Sequence, residues 1–97
     1  MKYDNESALI NGIIKRDKES LMKLMDIYGK LIYYIAGTIL KEPYEKESIE
    51  DCYNEVFTAI WFNIDCFNLD KGSFKNWIIA ITRYKTIDIK KKNLKHK

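Results

Sequence analysis

The chain has 97 residues, 46% of them hydrophobic, with four glycines, one proline and a net charge of +3. That is enough for one domain, too apolar for a disordered chain and too poor in turn residues for an all-β fold. No apolar run approaches the roughly 20 residues that cross a bilayer, and the opening MKYDNESALI is acidic and polar where a signal peptide is basic and then apolar. The expected location is therefore cytoplasmic, with no membrane insertion.

Apolar residues recur at helical spacing almost throughout, which predicts an all-α bundle of about four helices. A short first helix is expected from Glu6 to Ile14, with Asn5 as its cap. Asp17 can cap a long second helix ending near Leu40. On that helix Leu21, Leu24, Met25, Tyr28, Ile32, Ile35 and Ile39 form one stripe at three- and four-residue steps. Gly29 and Gly37 each weaken it, and close approach of a neighbouring helix is one reason to keep them. Pro43 ends the helix within the connection Lys41 to Lys46.

Ser48-Ile-Glu-Asp51 resembles a capping box and places the start of a third helix. Its buried stripe is expected to be Ile49, Tyr53, Val56, Phe57, Ile60 and Ile64, with Glu50, Asp51, Asn54, Glu55 and Thr58 on the other side. Residues 65–72 read as a loop turning at Asp70-Lys-Gly72. Ser73 then caps a fourth helix, whose Phe74, Trp77, Ile78 and Ile81 face the core. Lys75, Asn76, Ile79, Thr82, Arg83, Thr86 and Lys90 are expected on its opposite, polar face. A single domain is expected over residues 1–97, with its core over about 6–92 and the start of a linker or flexible tail at 93–97.

The chemistry of catalysis is missing: no nucleophile elbow, no phosphate-cradling glycine loop, no paired histidines. The one histidine, His96, lies in the lysine-rich end, and there is no CxxC pair. No metal, cofactor or enzymatic activity is expected. Cys52 falls on an apolar face and reads as a small core residue. A disulfide with Cys66 is disfavoured in a reducing compartment.

Charge is unevenly distributed. From Lys41 to Asp70 the balance is −6, and from Arg83 to Lys97 it is +6. A small domain divided in this way is suited to two different partners. On the fourth helix Arg83, Lys85, Lys90, Lys91 and Lys92 can neutralise phosphates, and Asn76 and Thr82 can hydrogen-bond. Tyr84 and Phe67 offer stacking surfaces. Aromatics beside cations suit single strands, whose bases expose the faces that a duplex hides.

The order of segments resembles region 2 of bacterial RNA polymerase sigma factors of the sigma-70 family, nearest the extracytoplasmic-function group. ALINGIIKRDKESLMKLMDIYGKLIYYIAGTIL is similar to that group's opening. IEDCYNEVFTAIWFNIDCFN resembles its Glu-Asp-Leu-Val-Gln-Glu-Val-Phe segment followed by Trp. LDKGSFKNWIIAITRYKTIDIKKK resembles its Gly-Ser-Phe-x-x-Trp stretch and basic end.

This resemblance implies docking on the coiled-coil of the polymerase β′ clamp through Asp51, Asn54 and Glu55, with Phe57 and Trp61 alongside. It also implies capture of the non-template strand of promoter DNA at the minus-ten element, with a base flipped into a protein pocket. The strand-binding residues are then Phe67, Asn68, Lys71, Ser73, Lys75, Asn76, Arg83 and Tyr84, to which the basic end adds Lys90. An anti-sigma factor is a further candidate partner. Asn54 stands where glutamine is usual, and Tyr84 where asparagine is usual. The family's second, helix-turn-helix domain does not follow within these residues, and an excised domain is expected rather than a truncated or specialised protein. The competing expectations are a helical interaction adaptor or anti-factor without DNA binding and, last, a duplex-reading repressor.

Overall fold

Four helices carry the chain, in a computed structural model that describes the backbone of residues 2–95 and side chains from residue 6 to 95. Helix α1 is Lys2–Ile14, α2 is Lys18–Ile39, α3 is Lys46–Asn63 and α4 is Phe74–Lys95. Single turns of 3₁₀ helix at Pro43–Glu45, Ile64–Cys66 and Leu69–Lys71 make up the connections. No strand occurs among the described residues. The fold is all-α, as the periodicity predicts.

The core lies where the long helices meet. Helix α4 packs against both α2 and α3, and α1 lies along α2. Ile13, Leu24, Ile32, Val56, Ile60, Phe74 and Ile78 have no exposed surface. Cys52 is buried among them and forms no disulfide. The predicted close approach holds at Gly29, where an added Cβ would lie 3.1 Å from the Tyr53 hydroxyl. At Gly37 nothing lies within 4 Å, so close approach explains only the first of the two glycines.

Helix boundaries follow local chemistry. Asp17 caps α2 as expected, accepting from the Glu19 N–H at 3.2 Å and from the Ser20 hydroxyl at 3.0 Å. Asn5 does not cap α1, because that helix already begins at Lys2. Ser48 does not cap α3 either. The Pro43–Glu45 turn runs straight into α3, and the Glu45 carboxylate accepts the Glu42 N–H at 3.3 Å. Ser73 does cap α4, its hydroxyl accepting from the Asn76 N–H at 3.0 Å.

Two expectations for α4 need correction. Thr82 and Thr86 are fully buried rather than part of a polar face. Each hydroxyl donates to the carbonyl four residues back, Thr82 to Ile78 at 2.8 Å and Thr86 to Thr82 at 2.5 Å. A threonine satisfied in this way can enter a core. Cys52 Sγ lies 3.0 Å from the Thr86 hydroxyl. Since that hydroxyl's proton is already committed, the thiol donates, and burial pushes the Cys52 thiol pKa up so that the proton stays.

The second correction concerns the C-terminal end. Helix α4 continues to Lys95, past the expected start of a linker at residue 93. Glu45, with no exposed surface, holds it there. One carboxylate oxygen accepts from Lys90 Nζ at 2.7 Å and the other from Asn93 Nδ2 at 2.9 Å. Asn93 also donates to the Ser48 hydroxyl at 3.2 Å. Lys90 is therefore turned inward as a structural cation, not outward toward phosphates. His96 lies outside the described residues.

Candidate functional site: an acidic face and an aromatic cradle

Helix α3 presents carboxylates on its outer side. Asp51, Asn54, Glu55 and Thr58 are exposed together, one turn apart along the helix. The Asp51 and Glu55 carboxylates make no hydrogen bond or ion pair among the described residues. Glu50 differs, because the Tyr33 hydroxyl donates to its carboxylate. That bond, helped by burial, pushes the Tyr33 pKa up to about 12. Tyr33 also stacks beside Tyr53, ring centroids 4.7 Å apart.

The two aromatics expected alongside these acids are engaged elsewhere. Phe57 is 4% exposed and meets the Tyr53 ring edge-on at 4.9 Å, so it supports the face from beneath and cannot touch a partner directly. Trp61 is half-buried, with the Arg16 guanidinium over its ring at 5.4 Å and donating to its backbone carbonyl. The exposed ring on this side of α3 belongs to Phe62, which the sequence reading missed.

The second feature sits between the short turns and the start of α4. A cavity of about 260 Å³ is lined by Phe67, Asn68, Lys71, Ser73 and Asn76, together with Cys66, Gly72, Trp77 and Ala80. Five residues expected to touch a strand are thus gathered around one opening. Phe67 lies 5.2 Å from Phe74 and 5.5 Å from Trp77, ring centre to ring centre, so the aromatic wall rests on a buried ring. Trp77, assigned to the core from sequence, is half-buried and contributes to that wall.

The backbone here is shaped by local devices. Asn68 accepts the Asp70 N–H at 2.9 Å, closing the Leu69–Lys71 turn. Gly72 has φ +152°, a conformation that residues with a Cβ rarely adopt. The side-chain oxygens of Asn68 and Ser73 are thus occupied in shaping the cradle. Asn76 and Lys71 remain exposed at its rim. Its volume lies just below the roughly 300–1,000 Å³ typical of ligand pockets.

The remaining predicted residues lie outside the cavity. Lys75 and Arg83 are exposed on α4, and Tyr84 is 70% exposed. Tyr84 borders a neighbouring groove that shares Cys66, Trp77 and Ala80 with the cradle. Among the described residues there is no group of three metal-ligating side chains, and no helix is long and apolar enough to cross a membrane.

Comparison with known proteins gives one consistent result. The family model described as Sigma-70 region 2 matches residues 24–95. The chain is 32% identical over 84 residues to the ECF RNA polymerase sigma factor SigW of Bacillus subtilis, covering 86% of this chain and 43% of that protein. It is 24% identical over 82 residues to the ECF RNA polymerase sigma factor SigK of Mycolicibacterium vanbaalenii, covering 84% of this chain and 40% of that one. The chain therefore spans about two-fifths of the length of these relatives. No solved structure matched it.

Proposed function

The chain belongs to the sigma-70 region 2 family, and from that premise we propose that it joins bacterial RNA polymerase core to the melted minus-ten element of a promoter. The observation carrying this reading is the cradle, where Phe67, Asn68, Lys71, Ser73 and Asn76 surround one small aromatic-walled cavity. The acidic face of α3 supplies the second contact, to the basic coiled-coil of the β′ clamp.

No bond chemistry is involved. A base leaving the duplex stack costs a few kcal/mol, and each base stacked on an aromatic ring returns roughly 1–3 kcal/mol. One base against Phe67 and Trp77 therefore only balances its own extrusion. Phosphate contacts from Lys71, Lys75 and Arg83, together with tethering to the polymerase, must supply the surplus. Asn76 stands at the rim, where its amide can reach the edge of an inserted base. Tyr84, exposed beside the adjoining groove, offers a second stacking surface. Lys90 has no part in this binding, because its ammonium is committed to Glu45.

The reading is tested by titrating fluorescent minus-ten oligonucleotide into the complex of this chain with polymerase core. The non-template single strand should bind better than the same sequence as duplex. Equal or stronger duplex binding would overturn strand capture in favour of a duplex reader. Arg83→Ala should leave the melting temperature nearly unchanged, since the side chain is exposed. It should weaken strand binding and reduce the log–log salt slope by about 0.7, the value for one phosphate contact.

For the other face, Glu55→Lys should abolish core binding while leaving the circular dichroism spectrum intact. It replaces an exposed, unpaired carboxylate by a charge that repels a basic partner. A folded variant that binds core as well as the native chain would remove α3 from the docking surface.

A further inference from the structure

Phe62 is 66% exposed. Single exposed aromatics are common and by themselves mean little. This one lies in register with the free carboxylates: Asp51, Glu55, Thr58 and Phe62 follow one another at steps of three and four residues on the outer side of α3. It also borders a groove of about 370 Å³ between α3 and α4, together with Asn54, Glu55, Thr58, Ala59, Asn63 and Lys85. The Asn63 amide is held against the Ala59 carbonyl at 2.9 Å, which fixes the groove's end. Neither Phe57 nor Trp61 can supply the apolar contact, one being buried and the other covered by Arg16.

We propose that Phe62 is the apolar anchor of the docking surface, and that the groove beside it receives one face of a basic amphipathic helix of the polymerase. This rests on the docking reading of α3 proposed above and adds the residue that fixes the register of the partner. Seven residues separate Glu55 from Phe62, about 10 Å along the helix axis. A helix lying along α3 then needs a cation opposite Glu55 and an aliphatic side chain about two turns away, opposite Phe62. Charge complementarity selects the partner's sign: the acids at Asp51 and Glu55 draw a cationic stripe, whereas Phe62 offers an exposed apolar ring. The cationic stripe thus belongs at the Asp51–Glu55 end and the aliphatic contact at the Phe62 end. An aromatic anchor bordered by charges is a common arrangement of strongly contributing interface residues.

The test measures binding of the full chain to bacterial RNA polymerase core at several salt concentrations, for the native chain and for Phe62→Ala, Phe62→Leu and Glu55→Lys. Circular dichroism confirms that each variant is folded. Phe62→Ala should weaken binding about tenfold or more with the native salt dependence retained, and Phe62→Leu should recover most of the loss. Glu55→Lys should remove binding together with its salt dependence. If Glu55→Lys fails to bind while Phe62→Ala binds as the native chain does, the anchor is overturned and the acidic dock stands. A Phe62→Ala that spares core binding but weakens strand binding also overturns it, in favour of a nucleic-acid contact. If the native chain does not bind core, both readings fall.

Discussion

The Phe74→Ala variant is expected to lose about 3–5 kcal/mol of stability, the range for removing a fully buried aromatic side chain. Phe74 has no exposed surface and is the largest side chain in the core that is completely enclosed. Its ring meets Tyr28 edge-on at 5.8 Å, Phe67 at 5.2 Å and Trp77 at 5.9 Å. Three neighbours from three parts of the chain cannot all collapse into the space left behind, which places the cost toward the upper end. A domain this small has a total stability of roughly 5–15 kcal/mol, so the variant should melt far below the native protein, or fail to fold, in a thermal scan.

The same substitution should damage the cradle. Phe67 and Trp77 form its aromatic wall, and both rest on the Phe74 ring. Where enough folded Phe74→Ala remains at low temperature, strand binding should fall further than core binding, because the acidic face of α3 lies elsewhere. Trp77→Ala should weaken strand binding likewise, with less loss of stability. Trp77 is only half-buried, so its stability cost is smaller, while its loss opens the cradle directly. A Phe74→Ala protein as stable as the native chain would mean that the core is not packed as described.

How much of this was legible in the sequence depends on whether a feature is local. The stripe along α2, the Asp17 cap, the Ser73 cap and the burial of Cys52 all follow from spacing or from residue type within a few positions. Phe57 is more instructive. Periodicity placed it in the buried stripe of α3, the family resemblance placed it on the docking face, and its 4% exposure agrees with periodicity. Because α3 packs against both α2 and α4, its buried arc is wide, and the exposed ring falls to Phe62. Thr82 and Thr86 were misread because polar composition was taken to mean exposure, whereas their hydroxyls are satisfied by their own helix. The gathering of Phe67, Asn68, Lys71, Ser73 and Asn76 was readable as a list, since they are close in sequence. The part played by Trp77 was not, because a residue at the edge of a buried arc can serve both core and surface.

Glu45 and Lys90 were the least legible pair, being 45 positions apart with no local pattern to join them. Their contact gives the second large expected effect. In Lys90→Met the Glu45 carboxylate stays enclosed with Asn93 as its remaining side-chain donor, and removing one partner of a buried ion pair is strongly destabilising. Exposed Lys91 and Lys92 provide the contrast: alanine at either should leave the melting temperature within a few degrees, since Lys92 has only a surface contact of 3.4 Å with Asp88.

The pH dependence identifies the cause. Lys90 first and Asn93 second hold the Glu45 pKa below its ordinary 4.5, so this carboxylate's stabilising contribution is complete above that value and is lost as pH falls through the lowered one. Glu45 in turn raises the Lys90 pKa above its ordinary 10.5, so the ammonium's contribution is complete below that value and lost as pH rises through the raised one. Between these limits the pair adds no pH dependence to the native melting temperature. In Lys90→Met the largest lowering cause is removed, Asn93 and the Glu42 N–H remain, and burial still favours the neutral acid. The Glu45 pKa therefore lies higher than in the native protein, and the deficit should narrow on acidification. Adding Glu45→Gln to Lys90→Met removes the uncompensated charge, and should recover part of the lost stability at neutral pH and abolish that narrowing. A Lys90→Met protein that melts with the native chain at neutral pH but binds the strand more weakly would place Lys90 back among the phosphate contacts.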